Sequence, residues 1–160
     1  MAEKICRILF VEDMIDLIDG VLSELECLHP LWILDTAPDI DEAWRMFLQA
    51  DYHCLVLDVM LPTSQSGVPL NSEGVCLAKW VWGVGEISPP SELAADSPKR
   101  KVPIVFLTSR DTTGVQAEVV GIPEGASKPK YFSRLDDVEE VAKTIIELAR
   151  HFEIKPAMEM

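Results

Sequence analysis

Reactive side chains in this sequence stand at the ends of apolar runs. Asp58 ends the uncharged run of HCLVLDVMLP (53–62), Glu12 and Asp13 follow ICRILFV (5–11), Thr108 ends KVPIVFLT (101–108), and Lys128-Pro129 closes the short run 121–127. A Leu/Val run bounded by a turn signal reads as a strand of a parallel sheet covered on both faces. An acid at the carboxyl end of such a strand lies where open α/β sheets bind ligands. Two adjacent acids leaving a buried strand are costly to desolvate unless a cation or a donor compensates them. Each residue also has a plain structural role: Asp58, Glu12 and Asp13 as helix caps, Thr108 as a β-branched strand residue, Lys128 as a surface lysine.

The elements that must position these residues follow from periodicity. The spacing predicts strands over 5–11, 31–37 and 54–57. It predicts further strands over 101–108 and, briefly, 121–127. Met14, Leu17, Ile18, Val21, Leu22 and Leu25 recur at helical spacing over 14–28. Asp39 is expected to cap a second helix, with Glu42 completing a capping box and Ala43, Trp44, Phe47 and Leu48 as its buried stripe. Ser72 is expected to cap a third helix over 73–83. A weak fourth helix is expected over 111–120, where Thr and Val are poor helix formers. Ser133 is expected to begin a last one, whose stripe runs from Leu135 to Phe152. Residues 62–72 and 84–101, rich in Pro, Ser and Gly, read as insertions. One domain over 1–154 with a tail at 155–160 is the expected organisation.

Alternating strands and helices predict a parallel sheet covered on both faces by right-handed crossovers. With a strand order 2-1-3-4-5, Glu12, Asp13 and Asp58 would converge on one crevice. Three carboxylates there require a cation, and an all-oxygen set favours Mg²⁺. Thr108 and Lys128 would face the same crevice with a hydroxyl and an ammonium.

Glu12-Asp13, Asp58 in LVLDVMLP, Thr108 in IVFLTSR and Lys128-Pro129 before the last helix together resemble the receiver domain of two-component response regulators, across about residues 4–152. The strand order above is taken by analogy with that CheY-like family, whose fold is flavodoxin-like. The resemblance implies that Asp58 is the phosphoacceptor, attacking a phosphohistidine of a sensor histidine kinase or phosphotransfer protein. It implies Mg²⁺ held by Asp13, Asp58 and the backbone carbonyl of Met60, with Glu12 acting through water. Lys128 would pair with one phosphoryl oxygen and Thr108 would move to another. It further implies a downstream protein effector, a homodimer as one mode of assembly, a cis peptide before Pro129, and a switch rather than a turnover enzyme. The sequence departs from the family in the longer loop from Asp58 to the expected glycine, Gly74, in the 84–101 insertion, and at two residues near Lys128. Gly125 stands where an aromatic usually precedes the lysine by three positions, leaving Tyr131 or Phe132 to substitute, and Lys130 replaces the aromatic that commonly follows Lys-Pro. An adaptor whose output is independent of phosphate is the alternative those departures raise.

Composition excludes other classes. The net charge of −13, from 27 acids against 14 bases, repels phosphate backbones, so direct nucleic-acid binding is not expected. The basic run Lys99-Arg100-Lys101 reads as a solvated loop. No apolar stretch reaches membrane-spanning length and no secretory pattern opens the chain, which together predict a cytoplasmic protein. Cys6, Cys27, Cys54 and Cys76 have no C-x-x-C spacing and read as buried reduced thiols, and the scattered histidines offer no zinc motif. A phosphatase of the haloacid-dehalogenase type would need an acid two residues after Asp58, where this chain has Met60. No phosphate-cradling glycine loop follows the first strand.

Overall fold

A computed structural model describes residues 4–12, 18–59, 73–85, 87–108, 115, 116, 119, 121–133 and 136–153, Thr108 by its backbone alone. Its strands are β1 (Arg7–Val11), β2 (Ile33–Ala37), β3 (Cys54–Leu57), β4 (Ile104–Thr108) and β5 (Lys130–Ser133). Its helices are α1 (Asp19–Leu28), α2 (Ile40–Gln49), α3 (Glu73–Trp82) and α4 (Val138–His151). All strand pairs are parallel, in the order β2-β1-β3-β4-β5. The flavodoxin-like α/β architecture expected from the sequence is therefore the one observed.

The strands' period of two divides the core into two layers. Leu9, Val11, Leu55, Leu57, Ile104 and Phe106 point to one face, where Ala43, Trp44 and Phe47 of α2 and Val75, Ala78 and Val81 of α3 cover them. Ile8, Phe10, Cys54, Val56, Val105 and Leu107 point to the other, against Val21 and Leu25 of α1 and Val141, Ala142, Ile145 and Ala149 of α4. Burying Phe47 alone contributes about 1.5–3 kcal/mol. Among the described residues no helix is long and apolar enough to cross a membrane.

Helix ends follow their local chemistry. The Asp39 side chain accepts a hydrogen bond from the Glu42 N–H at 2.8 Å, a cap contributing about 1 kcal/mol. Glu42 pairs with Arg45 rather than reaching back to close a capping box. The last helix starts later than expected: Ser133 belongs to β5, and Asp137 caps α4 by accepting from the Glu139 N–H. Lysines satisfy the carbonyls that two helix C-termini leave unpaired. Lys99 Nζ donates to the Phe47, Leu48 and Ala50 carbonyls at 3.0–3.2 Å, and Lys4 Nζ to those of Ala149, Arg150 and Phe152.

Four expectations are corrected. The fifth strand lies after Lys128-Pro129, over Lys130–Ser133, not over 121–127. Lys130, Tyr131 and Phe132 supply the side chains that can pack on both sides of a sheet, which the Gly, Pro and Glu of 121–127 cannot. No cis peptide occurs among the described residues, so the bond before Pro129 is trans and the chain runs on into β5. All four cysteines are free, but only Cys6 and Cys54 are buried; Cys76 is half-buried and Cys27 exposed. Burial pushes the Cys76 thiol up to about 11.

Lys99 and Arg100, finally, are not a solvated loop. Arg100 donates to the Ala94, Leu93, Trp80 and Val81 carbonyls, tying the 84–101 insertion to α3. The buried indoles of Trp44 and Trp80, edge to face at 5.8 Å, donate to the Ser91 and Ile87 carbonyls at 2.9 Å each. The insertion is pinned across α2 and α3 by buried donors that would otherwise lack partners. The predicted helix over 111–120 and the tail at 155–160 fall outside the described residues, save Val115, Gln116 and Val119.

Arg100→Ala should free the insertion, so limited proteolysis should cut faster within 87–97, and urea denaturation should show a loss of about 1–3 kcal/mol. A second expectation concerns His53, whose Nδ1 accepts the Arg7 N–H at 3.0 Å while its own N–H donates to the Arg7 carbonyl at 2.7 Å. Burial, then the Lys4 ammonium, holds its pKa below the usual 6.5. The unfolded chain therefore takes up this proton first, so stability should fall as pH drops below about 6.5 toward the lowered folded value and level off beneath it. Denaturation midpoints against pH should show this step in the wild type and not in His53→Asn.

Candidate functional site

At the carboxyl edge of the sheet the strand exits lie level. Val11 pairs with Leu57, so the next residues, Glu12 and Asp58, leave neighbouring strands side by side. The backbone fixes both: the Asp58 N–H donates to the Val11 carbonyl at 3.0 Å and the Glu12 N–H to the Ala37 carbonyl at 2.9 Å. Leu57 pairs with Phe106, which puts Thr108 one residue beyond the level of Asp58 on the adjacent strand, opposite Ser133 of β5. Asp13 and Met60 fall outside the described residues.

Burial singles this edge out. Among the described residues only three charged side chains are buried: Glu12 and Glu73 at 2% exposure and Asp58 at 7%. Glu73, which the sequence analysis does not single out, opens α3 against the same strand end. The Gly74 N–H donates to the Val59 carbonyl at 3.0 Å, and a Cβ on Gly74 would stand 2.1 Å from the Asp58 carbonyl oxygen. Glycine at 74 is thus what allows the helix to sit on the Asp58–Val59 backbone. The visible signal was the pair Glu73-Gly74 after a long loop; its burial depended on a contact across sixteen residues of sequence.

Lys128 does not join this group. Because β5 begins at Lys130, paired with Val105, Lys128 precedes the strand and lies toward the amino edge of the sheet. There it is exposed, while the neighbouring Ser127 lines an open groove of about 890 Å³ with Pro103, Lys130, His151 and Phe152, at the C-terminal end of α4. Gly125 lies at the same end: a Cβ on it would meet Lys101 Nζ at 3.3 Å. The expectation that Lys128 faces Asp58 is corrected, since moving β5 beyond Lys-Pro reverses which end of the strand the lysine occupies. Tyr131 does sit on β5, stacked on Phe106 with ring centroids 5.5 Å apart, and burial raises its phenol pKa.

An oxygen-donor cation such as Mg²⁺ matches what this edge offers: buried carboxylates on adjacent strand exits and no thiol or imidazole among them. Among the described residues no three His, Cys, Asp or Glu side chains are grouped so that they could hold a metal ion.

The backbone has close counterparts among solved structures. The signal receiver domain of a signal transduction histidine kinase from Syntrophus aciditrophicus superposes with a TM-score of 0.66 at 16% identity, covering 97% of this chain and 98% of that one. The receiver domain of the Francisella response regulator 1452 gives 0.63 at 17% identity, covering 91% and 97%. The chemotaxis response regulator CheY4 of Vibrio cholerae gives 0.62 at 20% identity, covering 91% and 99%. No protein-family model matches the chain, and no curated protein matches it in sequence. The chain has the CheY-like receiver fold.

Gly74→Ala should cost about 3 kcal/mol or more in urea denaturation, because the added methyl meets backbone rather than a side chain that can turn away.

Proposed function

We propose that this protein is a phosphoacceptor receiver of a two-component phosphorelay, over residues 1–154 with insertions near 62–72 and 84–101, acting in the cytoplasm. The observation that carries the reading is the pair Glu12 and Asp58, buried side by side on adjacent strand exits at the carboxyl edge of a 2-1-3-4-5 sheet. The receiver fold shared with the structures above supports it. A carboxylate oxygen of Asp58 attacks phosphorus of a phosphohistidine in line. The new P–O bond forms as the P–N bond breaks, and the imidazole leaves with the electron pair and takes up a proton. Glu12, Asp13, Asp58 and the Met60 carbonyl are the oxygens that would hold Mg²⁺, which when bound supplies charge neutralisation for the phosphoryl oxygens. The protein's own part is to keep Asp58 on a rigid strand exit and to shield it from bulk water.

The phosphate then acts by adding charge and acceptor oxygens. Thr108, on the next strand, supplies the hydroxyl drawn toward it. The cationic role expected of Lys128 passes to Arg134, which follows Ser133 in sequence. Tyr131 precedes Arg134 by three positions, the spacing of the family's aromatic and lysine, which supports giving the aromatic role to Tyr131. Tyr131 links the Thr108 end of the sheet to the α2–α3 face through Phe106, and that face carries the pinned insertion where a downstream protein effector would read the change.

Incubation with Mg²⁺ and acetyl phosphate should add one phosphoryl group by intact mass spectrometry, and none in Asp58→Asn; label persisting in that variant would refute the assignment. With beryllofluoride as phosphoryl mimic, Lys128→Ala should keep the wild-type amide shifts around Asp58 and Tyr131, whereas Arg134→Gln should reduce them at least severalfold. The adaptor alternative requires instead that partner affinity be the same with and without beryllofluoride.

A further inference from the structure

Glu73 has no part in the mechanism above, yet it is one of three buried charged side chains among the described residues, and all three are acids at one edge of the sheet. Its Oε2 is enclosed and accepts no hydrogen bond. A carboxylate in the first turn of a helix is ordinary when solvated, because the N-terminal end of the helix dipole favours it. Enclosed and without a donor, the same oxygen gives up its hydration for nothing, which protein interiors avoid unless a cation or bound water completes the site. The helix it opens is held against Asp58 by the Gly74 contact, so Glu73 is one residue from a backbone that touches the phosphoacceptor.

We propose that Glu73 is a further acid of the divalent-cation site at Asp58, acting at one water's remove by accepting a hydrogen bond from a metal-bound water. The proposal rests on the cation site assigned above and adds to it a residue from α3. The acid acts through water because Glu73, Glu12 and Asp58 do not form a direct three-acid cluster among the described residues. It also fits the chemistry. Mg²⁺ sheds water reluctantly and keeps several waters in protein sites, and those waters are strong donors that need acceptors around them. The buried, unpartnered Oε2 of Glu73, at the start of the helix that rests on the Asp58–Val59 backbone, is such an acceptor. It would raise cation affinity in two ways, by holding the water shell in place and by adding negative charge in a region of low effective dielectric.

The test is isothermal titration calorimetry of Mg²⁺ into the full chain at fixed ionic strength, for the wild type, Glu73→Gln, Glu73→Ala and Asp58→Asn. The wild type should bind one ion, and both Glu73 variants should bind it about tenfold more weakly, the loss typical of residues that orient a metal's inner ligands. Asp58→Asn should lose more. Urea midpoints without metal should be unchanged or higher in Glu73→Gln, because a buried carboxylate with an unpartnered oxygen has been removed. That result would show that the weaker binding comes from the site and not from misfolding. Dissociation constants within twofold of wild type in both Glu73 variants would overturn the proposal while leaving the phosphoacceptor reading intact. A wild type that binds no Mg²⁺ would remove both.

Discussion

Negative charge confined at the carboxyl edge of a parallel sheet is the constraint on which the rest of this structure depends. Glu12 and Asp58 leave the sheet side by side because β1 and β3 are neighbours in register, and Glu73 opens the helix whose Gly74 rests on the Asp58–Val59 backbone. None of the three can move away without breaking a strand pairing or the close approach at Gly74. A carboxylate held out of water is costly unless a cation or a hydrogen-bond donor compensates it, so three buried acids at one sheet edge are not there by chance of packing. Burial of acids therefore marks a candidate site better than any one residue type.

The remainder of the molecule holds that edge still. Two apolar layers clamp the sheet, and the alternation of side chains along β1, β3 and β4 gives each layer its own set of strand residues. Cations are spent on structure. In a chain with a net charge of −13, Lys4 and Lys99 close the C-terminal ends of α4 and α2, and Arg100 stitches the 84–101 insertion to α3. Bases that might have formed a patch for anions are instead saturated by backbone carbonyls. The insertion, rich in Pro and Ser, thus becomes a fixed addition to the α2–α3 face, and it gives this receiver-like chain a surface of its own.

The fold was legible from the sequence where burial pattern and secondary structure agree. The Leu/Val runs over 5–11 and 54–57 could only be strands covered on both faces, Asp39 could be identified as a cap, and the stripe of Trp44 and Phe47 was plainly core. Asp58 and Glu12 could be singled out for the same reason, because a charged residue directly after a buried apolar strand must sit at its exit. Lys-Pro was misleading. Taken as the end of a strand it put Lys128 beside Asp58, whereas β5 starts two residues later and the lysine stands toward the opposite end of the sheet.

The sequence alone therefore determined strands β1 to β4, the helices α1, α2 and α3, the two-faced sheet and the exits of Glu12 and Asp58, because these depend on local periodicity and on the cost of burying charge. Only the tertiary structure decided which end of β5 faces the site, that Glu73 is enclosed, and that Lys99 and Arg100 are internal ties. Those facts depend on partners far away along the chain. Strand register and helix approach fix them through hydrogen bonds and steric contacts that no local pattern encodes.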